Sequence, residues 1–571
     1  MALFLNKSRG SAGIWTIIFL FLTAVLIIGG AFALYYFKGG KIITVNDLKS
    51  YEKIIGLEFT HKERKMMLDR IRGRLSGYQR LREIDIPNSV PPALQFNPVV
   101  PGMELDREQK FSRYTAEENI QVPADFEELA FYPVTALAQL MKSRKITSLW
   151  LTQLYLERLK KYGPRLECII TLTEDLALKQ AKQADEEIAA GRYRGPLHGI
   201  PWGAKDLLAT KGIKTTWGAA PYKKQVIDED ATVVKRLEEA GAVLVAKLTM
   251  GALAQGDVWY GGKTRNPWNI KQGSSGSSAG SASATAAGLV GFAIGTETRG
   301  SIISPSTRCG VTGLRPTYGR VSRYGAMALS WSMDKIGPIC RTVEDCALVF
   351  QAICGPDNKD PTLLDLPFNW DPEMDMKDIR IGYLKKAFER KPKGQAGEIA
   401  LENSKKVLEV FRSMGVELVP VELPEFPTGV LHFILSTEAA AAFDKLTRSN
   451  RDDLLVRQTG WPITFRQARF VPAVEYIQAN RARTLLMLKM DEKMEGIDVF
   501  VTPTYATTGL TNLTGHPAVV VPNGFGQNGS PTSIVFIGNL FAEAKTLRVA
   551  KAFQDATEFH LKFPDLEQPE Q

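Results

Sequence analysis

The chain has 571 residues, 44% of them hydrophobic, and a formal net charge of +9, which allows a large buried core and excludes a disordered chain. The positive charge is spread along the sequence apart from one stretch, so no nucleic-acid partner is expected. Cys168, Cys309, Cys340, Cys346 and Cys354 form no C-x-x-C pair, and the five histidines show no H-E-x-x-H spacing, which argues against a disulfide framework, a zinc site and a metal-dependent mechanism.

A short tail, residues 1–11, precedes the run "AGIWTIIFLFLTAVLIIGGAFALYYF", residues 12–37, which carries no charge over 26 positions. A helix of that length spans a hydrocarbon core of about 30 Å. Trp15 at one end and Tyr35 and Tyr36 at the other fit an interfacial aromatic belt. The run exceeds the usual h-region of about 7–15 residues, so a single-pass N-terminal membrane anchor is expected in preference to a cleaved signal peptide ending at Ala31-Phe32-Ala33. Lys7 and Arg9 are balanced by Lys38, Lys41, Lys49 and Lys53, so the side of the membrane is not specified.

Residues 38–125 read as a basic helical and proline-rich juxtamembrane region. Thr60 and Glu63 make a capping box ahead of a helix in which Met67, Ile71, Leu75 and Tyr78 recur at helical spacing. Between Lys62 and Arg82 there are eight Lys/Arg residues, which fits either a helix lying on anionic headgroups or a solvated helix packed on the main domain. Pro87 to Gly102 reads as a connector.

From residue 126 to 571 helix and strand patterns mix without a second linker. A helix is expected from Ser148 to the Gly163-Pro164 stop, and another in "DATVVKRLEEAGA" capped by Asp230. Short apolar runs near Val243, Phe292, Ile381, Phe500 and Val535 read as strands. Brief Val/Ile-rich strands between helices imply an α/β domain whose sheet is covered on both faces. No fixed-period repeat points to a solenoid or propeller.

The tract "QGSSGSSAGSASATAAG", residues 272–288, has the composition of a tether. Its Gly276-Ser277-Ser278-Ala279-Gly280 also spells G-x-S-x-G, a nucleophile elbow on Ser278 that would need a histidine partner. Neither reading suits a segment that runs straight into the apolar strand "LVGFAIG" and the turn Thr298-Arg299-Gly300-Ser301. A serine after such a turn has its hydroxyl and neighbouring N–H groups aimed into one cavity. Upstream, Lys205 and Asp206 lie among apolar and glycine residues, where a desolvated lysine becomes a neutral base, while an ordinary Lys–Asp ion pair is the plainer alternative.

These segments together resemble the amidase signature hydrolases. "SGSSAGS" from Ser275, Ala286 to Gly288, "GTETRGSI" from Gly295, "RNPWN" at Arg265, "LRPTYGRVSR" at Leu314, "GPICRTVEDCA" at Gly337 and "NLTGHPAVVVPNGF" at Asn512 match family stretches in family order. The resemblance, over roughly residues 130 to 565, implies a single large α/β domain with a mixed central sheet covered by helices. It implies a Ser-cisSer-Lys triad: Lys205 as base, Ser277 as the bridging serine after a cis peptide, Ser301 as nucleophile. The backbone N–H groups of Thr298, Arg299, Gly300 and Ser301 would be the oxyanion hole, and no cofactor is needed. Arg299 stands where many members have glycine, so a positive φ is expected to be a problem there; Ser275 and Ala279 also replace family glycines. The resulting expectation is an amidohydrolase that cleaves a small-molecule carboxamide to an acid plus ammonia or amine, with lipid or peptide amides as substrates. Two alternatives stand beside it: a glutamine-hydrolysing component of a tRNA-dependent amidotransferase, and a catalytically silent membrane-bound scaffold. The oligomeric state is not specified.

Overall fold

The computed structural model describes residues 43–115 and 120–567, together with Thr23. The expected anchor at 12–37 therefore lies outside the described residues except for Thr23. Among the described residues no helix is long and apolar enough to cross a membrane.

The chain divides into two compact units, residues 1–86 and 87–571. In the first, α1 (Val45–Ile55) and α2 (His61–Glu83) each begin with a capping box, on Thr44 with Asp47 and on Thr60 with Glu63. The Arg64 guanidinium holds the Glu52 carboxylate at 2.7 and 2.8 Å, and both side chains are buried. Leu75 and Tyr78, on the apolar stripe of α2, are exposed. The proline-rich stretch from Pro87, expected with the juxtamembrane region, belongs to the second unit, where Asn88 clasps the backbone of Ala328 at 2.7 and 2.9 Å.

The second unit is built on one sheet of eleven strands. They are β1 (Ile169–Leu172), β2 (Pro201–Lys205), β3 (Val243–Leu248), β4 (Phe292–Glu297), β5 (Thr312–Arg315), β6 (Lys335–Cys340), β7 (Ile381–Leu384), β8 (Leu418–Val421), β9 (Val499–Pro503), β10 (Ala518–Phe525) and β11 (Pro531–Gly538). Their spatial order is β1-β3-β2-β4-β6-β5-β10-β11-β9-β7-β8. β2 runs parallel to β3 and β4, and β7 runs parallel to β8 and β9, while the other pairings are antiparallel. The sheet is thus mixed, as expected, and all five apolar runs singled out in the sequence form strands. Every residue of β2, β3, β4 and β6 is buried, which follows from helices on both faces.

Two helix boundaries differ from the sequence reading. The helix α3 (Ser148–Leu166) continues through Pro164, because Gly163 and Pro164 fall in its last turn and the chain leaves through Glu167 in the left-handed region. The helix expected after Asp230 starts at Thr232 without a side-chain cap, since the Asp230 carboxylate instead accepts from the Lys211 N–H at 2.8 Å.

Candidate active site

Lys205 ends β2, the third strand from one edge of the sheet, and is fully buried. The parallel register Ala204↔Ile294 carries its side chain toward the Gly295–Thr296 end of β4. Its ammonium nitrogen lies 2.9 Å from Ser277 Oγ, 3.0 Å from Ser278 Oγ and 2.8 Å from Thr296 Oγ1. Burial pushes this amine down to about 7, against the opposing pull of the Asp334 and Glu297 charges. The plainer alternative, an ion pair with Asp206, is not what the structure holds: Asp206 pairs with Lys247 at 3.2 Å, both fully buried.

The Ser/Gly tract supplies two of the three hydroxyls around the amine. It leaves a short ribbon at Gly273 and enters α4 (Ala279–Ala286), and the Gly276–Ser277 peptide is cis. A Cβ on Gly276 would sit 2.0 Å from the Gly256 carbonyl oxygen, so only glycine allows this approach. Ser278 Oγ donates to Thr296 O at 3.1 Å and accepts from Thr296 N–H at 3.1 Å and from Lys205. A hydroxyl has one proton to give, and that of Ser278 is already given to the backbone of β4. Ser277 Oγ, also buried, has Lys205 as its only side-chain partner among the described residues. The nucleophile elbow on Ser278 therefore fails for want of a free proton as well as of a histidine.

Ser301 follows β4 at the entry to α5 (Ile303–Cys309) and is half-buried, and its carbonyl accepts from Ser278 N–H at 3.2 Å. Among the described residues its hydroxyl has no hydrogen-bond partner. Nor do the N–H groups of Thr298, Arg299, Gly300 and Ser301 donate to a protein acceptor among the described residues. The positive φ of this turn, +90°, falls on Gly300, not on Arg299. Arg299 consequently fits the turn without strain and is exposed. Positive φ does appear at Ser275, +62°, where the hydroxyl meets Ser304 Oγ at 2.7 Å and the N–H meets Asp257 at 3.1 Å. Ala279, the other replacement, is buried in the first turn of α4.

Three residues that sequence reasoning did not single out brace this turn. The Glu297 carboxylate accepts from Ile302 N–H at 2.9 Å, Ile303 N–H at 3.0 Å, Arg315 at 2.9 Å and Asn512 at 2.8 Å. Burial alone would raise the pKa of this carboxyl, but Arg315 and these donors hold it down to about 2. Thr298 Oγ1 donates to Asp334 at 2.6 Å, and the other oxygen of Asp334 accepts from Leu329 and Ser330 N–H at 2.8 and 2.9 Å. Thr296 completes the set. The only hint in the sequence is the alternation Thr296, Glu297, Thr298 at the end of a strand, which puts both threonines on one face. Thr296, Thr298, Leu207 and Asp334 line a cavity of about 70 Å³.

A buried amine pushed down to about 7, within reach of serine hydroxyls and beside a turn whose N–H groups meet no protein acceptor among the described residues, is what a lysine-assisted serine hydrolase requires. The chain belongs to the amidase signature family: the Amidase family model matches residues 150–511. It is an enzyme of the amide C–N hydrolase type. It is 34% identical to a glutamyl-tRNA(Gln) amidotransferase subunit from Methylococcus capsulatus over 482 residues, 75% of this chain and 97% of the relative. The corresponding Roseiflexus sp. protein is 35% identical, covering 74% of this chain and 96% of the relative. Among solved structures, native peptide amidase from Stenotrophomonas maltophilia superimposes with a TM-score of 0.68 at 30% identity, covering 77% of this chain and 100% of that one.

Proposed function

We propose that Ser301 is the nucleophile of a carboxamide hydrolase and that Lys205 and Ser277 form its proton relay. The observation that carries this is the hydrogen-bond count around the amine. Three hydroxyls surround the amine, those of Ser277, Ser278 and Thr296, with the Thr296 carbonyl farther off at 3.4 Å; the Ser278 proton is committed to the Thr296 carbonyl, so Ser278 cannot pass one to the lysine lone pair, and of the two tract serines only Ser277 can. In acylation the Ser301 oxygen bonds to the amide carbon while its proton passes to Ser277, and the Ser277 proton passes to Lys205. The developing oxyanion is received by the N–H groups of Thr298, Arg299, Gly300 and Ser301. The lysine then returns the proton through Ser277 to the leaving nitrogen, the C–N bond breaks, and water hydrolyses the acyl-enzyme by the same relay.

For the substrate, the reading favoured by the curated relatives is a primary amide such as that of glutamine, with ammonia leaving. The amidotransferase proteins match this chain over nearly their whole length, and the peptide amidase likeness points to the same leaving group. A second reading rests on the uncharged run at residues 12–37: attached to a membrane, the enzyme takes long-chain N-acyl amines from the bilayer.

Two measurements test the proposal. A fluorophosphonate probe is expected to label Ser301 in the wild type and not in Ser301→Ala; labelling that persists in Ser301→Ala refutes the nucleophile. Hydrolysis of glutamine, dipeptide amides and long-chain N-acyl amines is then compared with Lys205→Ala and Ser301→Ala. Turnover confined to the N-acyl amines would overturn the primary-amide reading, and wild-type rates no higher than the variants would overturn the enzyme assignment of these residues.

A further inference from the structure

We propose that Asp334 is a positioning residue for this reaction, the counter-charge that receives the Lys205 ammonium and fixes the oxyanion turn through Thr298. The inference rests on the relay described above.

The geometry starts from the strand alternation. Thr296 of β4 and Thr298, one residue past its end, both border the same cavity, and their hydroxyls reach different partners: Thr296 Oγ1 to Lys205 Nζ at 2.8 Å and Thr298 Oγ1 to Asp334 Oδ1 at 2.6 Å. Lys205 and Asp334 thus sit at the two ends of one short row of hydroxyls that borders a single cavity. The far oxygen of Asp334 is pinned by the N–H groups of Leu329 and Ser330, so the carboxylate has little freedom to swing.

Most charges around this row are matched in pairs, and Lys335 and Asp334 are not. Glu297 is neutralised by Arg315 at 2.9 Å, Arg323 by Asp360 at 2.9 Å, and Asp206 by Lys247 on β3. Lys335, next to Asp334 in sequence and buried, gives its proton to the Met333 carbonyl, and burial drives its amine well below the usual lysine range. Among the described residues Asp334 has no cation within ion-pair distance. Burial works against ionisation of Asp334, while the hydrogen bonds from Thr298, Ser330 and Leu329 and the Arg323 charge favour it, so a carboxylate held by donors stands at the far end of the row from the one group in it that becomes cationic during turnover. Asp334 and Glu297 both favour the protonated form of Lys205, in opposition to burial.

This arrangement separates two effects. The carboxylate charge acts on the proton affinity of Lys205, whereas the Thr298 hydrogen bond acts on the placement of the first N–H of the oxyanion turn. Removing the charge makes Lys205 less basic; removing the hydroxyl leaves its basicity intact and loosens the turn.

The test is the pH dependence of fluorophosphonate acylation at Ser301 in the full chain, for wild type, Asp334→Asn, Thr298→Val and Thr298→Ser. For Asp334→Asn the acid limb is expected to move to lower pH by about half a unit to one unit, with a plateau lower by tenfold or more. For Thr298→Val the plateau falls by a similar factor with the limb in place, and Thr298→Ser recovers most of the loss. An unmoved limb in folded Asp334→Asn, or Thr298→Val acylated as fast as wild type, overturns the proposal. If Asp334→Asn does not fold, the two Thr298 variants decide alone. A wild type that is not labelled at Ser301 refutes the relay itself, a failure distinct from either of these.

Discussion

Ser277 and Ser278 are chemically identical neighbours, and the structure predicts opposite results for their replacement by alanine. Ser278→Ala leaves the Thr296 N–H and one Lys205 N–H without a partner in a buried position, and leaves the Thr296 carbonyl only its long contact with Lys205 at 3.4 Å. Each unsatisfied buried group costs about 1–3 kcal/mol, and partial relaxation brings the expected total to about 2–4 kcal/mol. Thermal unfolding reads this as a Tm lower by several degrees, at about 2–4 °C per kcal/mol for a domain of about 200 residues and less for a longer one. Acylation at Ser301 should survive, because Ser278 gives no proton to the reaction. Ser277→Ala removes a hydroxyl with a single side-chain bond, so Tm changes little, about 1 kcal/mol, while the acylation rate falls by about 10²–10⁴. Fluorophosphonate labelling and a melting curve on the same two preparations give both readouts. Loss of labelling in Ser278→Ala with retention in Ser277→Ala would refute the proton count on which the relay rests.

Four further outcomes are expected. Wild-type acylation should rise as pH increases through about 7, where Lys205 loses its proton; a rate that is flat from pH 6 to 8 contradicts the base assignment. The same group affects stability. Its folded value lies below its ordinary 10.5, so the unfolded chain binds more protons between the two, and its contribution grows as pH rises from about 7 toward 10.5. That slope should vanish in Lys205→Met, as urea unfolding at several pH values would show. Glu297→Gln strips a buried, bidentately capped ion pair and should cost about 3–5 kcal/mol. In the wild type the stability contributed by Glu297 should persist above its ordinary value of 4.5 and be lost as pH falls toward about 2; a melting temperature for Glu297→Gln equal to wild type excludes this role. Arg299→Gly should fold, changing stability by less than about 1 kcal/mol, and should alter KM for charged amides more than the acylation plateau. Labelling seen only after Arg299→Gly would instead support the silent scaffold.

The strands are legible because a strand buried on both faces is predominantly apolar, and "VLVAKL" and "FAIGTE" each carry a run of apolar residues before a polar one that has a buried partner. Lys205, Ser277 and Ser301 were reached through family motifs, since spacing alone does not separate Ser277 from Ser278. What distinguishes them is the backbone of β4, which engages one hydroxyl and not the other. Asp334 is not legible in the sequence, because its meeting with Thr298 depends on the antiparallel register that sets Lys335 opposite Glu297, and nothing local announces that register. The continuation of α3 through Pro164 and the uncapped start at Thr232 are terminal details decided by tertiary contacts, where local signals are weakest.

Lys205 and Asp206 are covalent neighbours that never share a charge. In the register of β2 with β3, Ala204 stands opposite Lys247 and Lys205 opposite Leu248, so the pleat sends Lys205 to one side and turns Asp206 back toward Lys247. The sheet acts here as an electrical insulator one residue thick. A slip of a single position along β2 would exchange the two faces, turning Lys205 toward Lys247 and Asp206 away from its partner. The half of the pleat that looks inert, Asp206 with Lys247, occupies the carboxylate that stands next to Lys205 in the chain and leaves that lysine to its hydroxyl partners.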